Sequence, residues 1–194
     1  MRRAGFVWLA VALAAAGCSG RSTNSGTAAG AATTTPPTAQ EPWPAPVNGV
    51  TAIAQSAGLQ ILNAEAFAQH IHAHLDVFLN GQAVTVPANI GIDYVASHIT
   101  PLHTHDDSGV IHIESPDLRT FTLGQFFTEW GVTLTSSCVA SYCAPSSPLV
   151  VDVNGAPFSG DPGTIVIHRH DEIAVVIGTP PAGVPSQFNF PPGY

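Results

Sequence analysis

The sequence predicts an α+β fold: a mixed β-sheet with one main helix and an added histidine-rich β-hairpin. Three observations carry that expectation. Runs of β-prone residues alternate apolar and polar side chains and are separated by glycine-containing turns. One stretch, FTLGQFFTEWGV, has helical spacing with a start and a stop signal. Six of the nine histidines fall in two short segments, HIHAHLD at 70–76 and LHTHDDSGVIHIE at 102–114.

At 194 residues the chain has room for one domain plus accessory segments. Charged residues make up only 9%, lysine is absent, and the net charge is -8. Such a chain is a poor partner for nucleic acid or for an anionic bilayer surface. Hydrophobic residues at 45% argue against disorder throughout.

Residues 1–17 read as an export signal: two arginines, an apolar run from Ala4 to Ala16, then small residues. The apolar run is short for a membrane span. The segment Ala15-Ala16-Gly17-Cys18 resembles a bacterial lipobox, with Ala15 where a leucine is usual. That resemblance implies a lipidated Cys18 as the first mature residue, tethered to the outer face of a bacterial cell membrane. Each acyl CH2 buried in the bilayer contributes about 0.8 kcal/mol to such a tether. The alternative is an ordinary signal peptide with an incidental cysteine. Residues 18–46 are a Ser/Thr/Ala/Pro-rich linker, too poor in apolar side chains to offset the entropy of ordering. The folded domain is expected at 47–194.

Within the domain, Val50 to Leu59 suits a short helix ending near Gly58. IHAHLDVFL and QAVTVP, joined at Asn80-Gly81, form a hairpin pattern. LHTH and VIHIE form a second hairpin around Asp106–Gly109. In the main helix Thr122 and Gln125 make a capping box. Leu123, Phe126, Phe127 and Trp130 share a face, and Gly131 is the stop. Cys138 and Cys143 are read as a disulfide, the state an exported protein favours. As soft metal ligands they match no common zinc spacing. LVVDVNG and TIVIHRHDEIAVVIG give three further strands, with the last turn at Arg169–Glu172. FNFPPGY lies across the surface or frays.

The helix TLGQFFTEWGV, followed by VVDVNG and a closing HDEIAVV strand, resembles β-grasp domains over residues 71–177. The resemblance implies a mixed sheet wrapped around one helix and carries no functional residues. HIHAHLDVFLNG and PLHTHDDSGVIHIES are also similar to a family of uncharacterised secreted proteins of bacteria and archaea, over most of the domain. That likeness imports no activity.

Side chains alternate faces along a strand, so His70, His72, His74, Asp76 and Phe78 point one way. Ile71, Ala73, Leu75, Val77 and Leu79 point to the core. Rings in such a row stand about 6.5–7 Å apart, so three on one straight strand converge poorly and need a partner strand. If Asp107-Ser108 form the tip of the second hairpin, His105 opposes Val110 and His103 opposes His112. His103, His105 and His112 then share a face with Glu114. A register change of one residue would undo that set. Three imidazoles suit zinc or copper, and also nickel. Asp76, Asp106, Asp107 and Glu114 are the carboxylates placed to orient the rings. Whether the rows His70/His72/His74 and His103/His105/His112 form one site or two is open at this level. His98 reads as structural, and His168 and His170 as a lesser pair near a turn.

Enzyme signatures come close and fail. HTHDDS has Ser108 where the metallo-β-lactamase motif needs a third histidine, and Glu114 lies too far from His105 for a cupin. HIHAH is like the strand-borne pair of amidohydrolases, whose barrel this domain is too short to form. The reading is a membrane-anchored extracytoplasmic metal-binding lipoprotein. The alternatives are a metal-dependent hydrolase or oxidase, with Asp106, Asp107 or Glu114 as base, and a metal-free interaction module whose histidines sense acid pH or are merely solvated.

Overall fold

The computed structural model describes residues 43–194. The export signal, Cys18 and the linker up to residue 42 lie outside the described residues. Packing begins before the expected boundary at Val47. The Trp43 ring meets Trp130 edge-on at 5.8 Å, and Trp130 Nε1 donates to the Trp43 carbonyl at 2.9 Å.

The short helix α1 spans Val50–Ser56. Strand β1 runs from Gln69 to Leu79 and turns into β2, Gln82–Val84, through Asn80 (φ 50) and Gly81 (φ 81). Two residues of positive φ give the turn whose twist matches that of antiparallel strands. Short strands follow: β3 at Ile92–Asp93, β4 at His98–Ile99 and β5 at Leu102–His103, then the longer β6 at Val110–Ser115. Helix α2, Leu123–Trp130, carries the full Thr122/Gln125 capping box and ends on Gly131 in the left-handed region. Beyond it lie β7 (Cys138–Val139) and β8 (Tyr142–Cys143), joined by the Cys138–Cys143 disulfide. The last strands are β9 (Leu149–Val153), β10 (Ala156–Pro157) and β11 (Glu172–Ile177).

A mixed seven-stranded sheet in the order β10-β9-β11-β1-β6-β5, with β2 also on β1, organises these parts. β1 is its centre, parallel to β11 and antiparallel to β6. The fold is therefore α+β, with one main helix on a mixed sheet and the histidine-rich hairpin added beside β1. On the core face Ala73, Leu75, Val77, Ile111, Ile113, Ile173 and Val175 join the α2 side chains Leu123, Phe126, Phe127 and Trp130 in one buried cluster.

Two expectations need correction. The segment TIVIH is not a strand of a closing hairpin. Asp161 starts a 3-10 turn at Pro162–Thr164, and Ile165 and Ile167 exchange main-chain bonds with Leu123 and Phe121 beside the helix. β11 pairs instead with β1 and β9. The second correction concerns the histidine hairpin, whose ladder stops at His103. Thr104 leaves it because its main chain bonds Asn89 and Ile90 and its hydroxyl donates to the Pro87 carbonyl.

Glu129 on α2 is 1% exposed, and neither carboxyl oxygen has a hydrogen-bond partner among the described residues. The neighbouring Thr100 hydroxyl spends its proton on the Leu102 carbonyl. Gly91 leaves room here, since a Cβ on it would stand 3.0 Å from Glu129 Cδ. Burial raises the Glu129 pKa from 4.5 to about 8. The folded protein then keeps a proton that the unfolded chain releases, so stability falls as pH rises between those values. Glu129→Gln is expected to be more stable than wild type in EDTA. Its advantage in unfolding free energy should widen by about 1 kcal/mol per pH unit from pH 5 to pH 8, read by denaturant titration.

Candidate metal centre

β6 lies between β1 and β5, and its pairings bring the two histidine segments onto one face. His112 is opposite His72 on β1 and opposite His103 on β5, while Glu114 is opposite His70. Directly paired residues share a face, so His72, His112 and His103 form a row across three strands, with His70 and Glu114 as the next row. The His72 and His112 ring centres are 4.6 Å apart, and those of His103 and His112 are 5.4 Å apart. The expected His103–His112 pairing holds. His105 does not oppose Val110, because it follows the diverted Thr104. Its ring nevertheless returns to the cluster, with centres 4.7 Å from His103 and 4.5 Å from His112.

The hydrogen bonds fix which nitrogens face inward. His103 Nδ1 donates to the Thr100 carbonyl at 2.8 Å, leaving Nε2 as the lone-pair nitrogen of the neutral ring. That Nε2 stands 3.1 Å from His105 Nε2 and 4.0 Å from Glu114 Oε2. Glu114 Oε1 accepts from His112 Nδ1 at 3.3 Å and faces His70 Nε2 at 3.4 Å. Glu114 Oε2 is buried and has no hydrogen-bond partner. The carboxylate is thus a member of the cluster itself. Glu65, which the sequence reading passed over, lies 3.4 Å from His105 Nε2 with an exposed side chain.

Burial, with help from the neighbouring rings, lowers the His103 pKa to about 4 against the pull of the Thr100 carbonyl and Glu114. Burial and then His112 and His70 lower His72 to about 4 as well. Both rings are neutral at neutral pH, the form a metal requires. Burial alone would raise the Glu114 pKa, but the His112 hydrogen bond and the charges of His103, His112 and His70 bring it below the ordinary value. The centre therefore joins two neutral imidazoles, His72 and His103, to an ionised carboxylate. Ligand atoms of His103, His105, His112 and Glu114 lie within 4.8 Å of one another, and so do those of His70, His72 and Glu114.

The other proposed carboxylates stand elsewhere. Asp106 and Asp107 are exposed in the loop. Asp106 accepts from the Ser108 main-chain nitrogen, and its hydrogen bonds to Ser108 hold its pKa below the ordinary value. Asp76 lies 3.9 Å from His74 in a separate group with Glu172. His98 faces Thr51, and His168 hydrogen-bonds Asp171 at the turn.

His74 does not join the other two rings of its strand. Its Nδ1 meets Glu172 Oε2 at 2.8 Å and its Nε2 meets the Ser108 carbonyl at 2.9 Å. Acceptors on both nitrogens call for the doubly protonated ring. Burial opposes that charge, but the Glu172 bond and charge and the Ser108 carbonyl overcome it, so the His74 pKa is raised. Phe188 stacks on this cation at 3.9 Å.

Phe188 belongs to a final segment that covers the histidine face rather than fraying. Phe190 stacks on His170, and Tyr194 lies on His72 at 4.4 Å and near His112 at 5.6 Å. Arg169 and His170 hold the Tyr194 main-chain oxygen at 2.8 and 3.0 Å.

Removing one member of a buried ion pair strands the other, which costs about 3–5 kcal/mol. His74→Ala is therefore expected to lower the melting temperature by about 10 °C. His74→Leu combined with Glu172→Met should restore most of that loss, since an apolar pair of similar volume replaces the ion pair. Thermal unfolding of the three proteins followed by circular dichroism checks both outcomes. The chain matches no family model, no curated protein and no solved structure.

Proposed function

We propose that the protein is an extracytoplasmic metal-binding lipoprotein that holds zinc or copper with its clustered histidines. In this reading it is tethered through Cys18 to the outer face of a bacterial membrane. The tether rests on the layout of residues 1–18. The metal reading rests on one observation: the lone-pair nitrogen of His103 points at His105 Nε2 from 3.1 Å, beside a buried carboxylate oxygen with no partner. The two imidazole nitrogens hydrogen-bond each other while the carboxylate oxygen beside them stays unpaired, and a cation would take all three as ligands.

His103, His105, His112 and Glu114 would supply three nitrogens and one oxygen, a full tetrahedral set for zinc and a fitting one for copper. The Thr100 carbonyl would orient His103, as outer partners of metal-bound histidines do. With Cys138 and Cys143 bonded to each other, no thiol among the described residues competes at the centre. Four protein ligands leave no position for a reacting water on this ion, which suits capture and release better than hydrolysis.

Full-length protein purified without a histidine tag is expected to retain zinc or copper through extensive dialysis. His105→Ala, at a side chain 39% exposed, should weaken zinc binding at least about tenfold by competition with a chelator while the apoprotein melts as wild type. Protein that retains no metal, and whose melting does not move when zinc or copper is added, sinks the proposal.

A further inference from the structure

The first ligand set is complete without His70 and His72, yet both rings converge on the same carboxylate. His70 Nε2 lies 3.4 Å from Glu114 Oε1, and the His70 and His72 ring centres are 4.8 Å apart. His72 is 3% exposed, and its Nδ1 is buried with no hydrogen-bond partner among the described residues. A buried imidazole nitrogen left without a partner carries the full penalty of its desolvation. Its surroundings give no other reason for it to be there: His112 meets it edge-on, and Tyr194 covers its face.

We propose that His70, His72 and Glu114 hold a second divalent transition-metal ion beside the first, with the Glu114 carboxylate bridging the two. The inference rests on the metal-binding reading of the first set. Glu114 has the geometry of a bridge: Oε1 faces His70, while the unpartnered Oε2 lies on the His103 side at 4.0 Å. A shared carboxylate also answers the electrostatic difficulty of two neighbouring dications, because its negative charge lies between them. Pairs of metal ions held in this way stand about 3.5–4 Å apart.

The two ions would differ in character. The first has four protein ligands, three of them on residues buried in the sheet. The second has three, and one of these, His70, has a side chain 41% exposed. Its fourth position opens to solvent, so the second ion is the one that would carry exchangeable water or take a small anionic or oxygen-donor ligand.

The test is the stoichiometry of the full-length, untagged protein, stripped with a chelator and titrated with cobalt(II) or zinc, with elemental analysis after desalting. Wild type is expected to bind about two ions per chain, and His70→Ala about one, with the apoprotein melting unchanged because the substituted side chain is half-exposed. His72→Asn, which keeps a polar group at the buried position, should lower the number in the same way. Wild type binding about one ion, unchanged in His70→Ala, overturns the second site and leaves the first standing. Two ions retained in both variants also overturn it, since the second ion then sits elsewhere. No ion bound by wild type overturns the metal reading itself, and this inference with it.

Discussion

Strand β6 hydrogen-bonds to β1 on one side and to β5 on the other, and this double pairing decides where five side chains of the cluster point: His70, His72, His103, His112 and Glu114. With His112 opposite both His72 and His103, the rings stand on the face away from the apolar core. A slip of one residue at either seam would carry the rings of one strand to the other side of the sheet and replace them with Ile111 or Ile113. The register is held by those same isoleucines, both 0% exposed in the core. The hydrophobic pattern that stabilises the fold thus also fixes the chemistry of the opposite face.

That opposite face is an uncommon use of a sheet. His72, His74, His103, His112, Glu114 and Glu172 are all buried polar groups, and burying such groups without full partners is unfavourable. The fold meets this in two ways. At His74 the charge is answered on the spot by Glu172 and the Ser108 carbonyl. His72 Nδ1 and Glu114 Oε2 are buried without hydrogen-bond partners, and Glu172 keeps one such oxygen, Oε1, as well.

Much of this was legible in the sequence, and the rest failed for identifiable reasons. Asn80-Gly81, the Thr122/Gln125 box and Gly131 are local signals, and each does in the fold what its chemistry requires. The His103–His112 pairing was also readable, because it depends on a single turn. What escaped were contacts between distant segments. Nothing near Thr104 announces its bonds to Asn89 and Ile90, so the early end of β5 and the turn of His105 out of the ladder were not foreseen. The partner of His74 is 98 residues away, in a position read only as part of a turn. Glu114 was read as orienting the rings; its place among them needs the β1–β6 seam, which joins two hairpins that the sequence presents separately. The closing FNFPPGY has no periodicity to read, and only its aromatic rings, set against imidazoles, give it a place.

The aromatic cover over the sheet has a directional consequence. With Tyr194 resting on His72 and His112, and Phe188 on His74, the broad side of the histidine layer is roofed. The rings that stay in contact with water are His70 and His105, at opposite margins of the layer. An ion reaching the interior nitrogens would therefore come sideways, between strands and roof, past one of these two imidazoles.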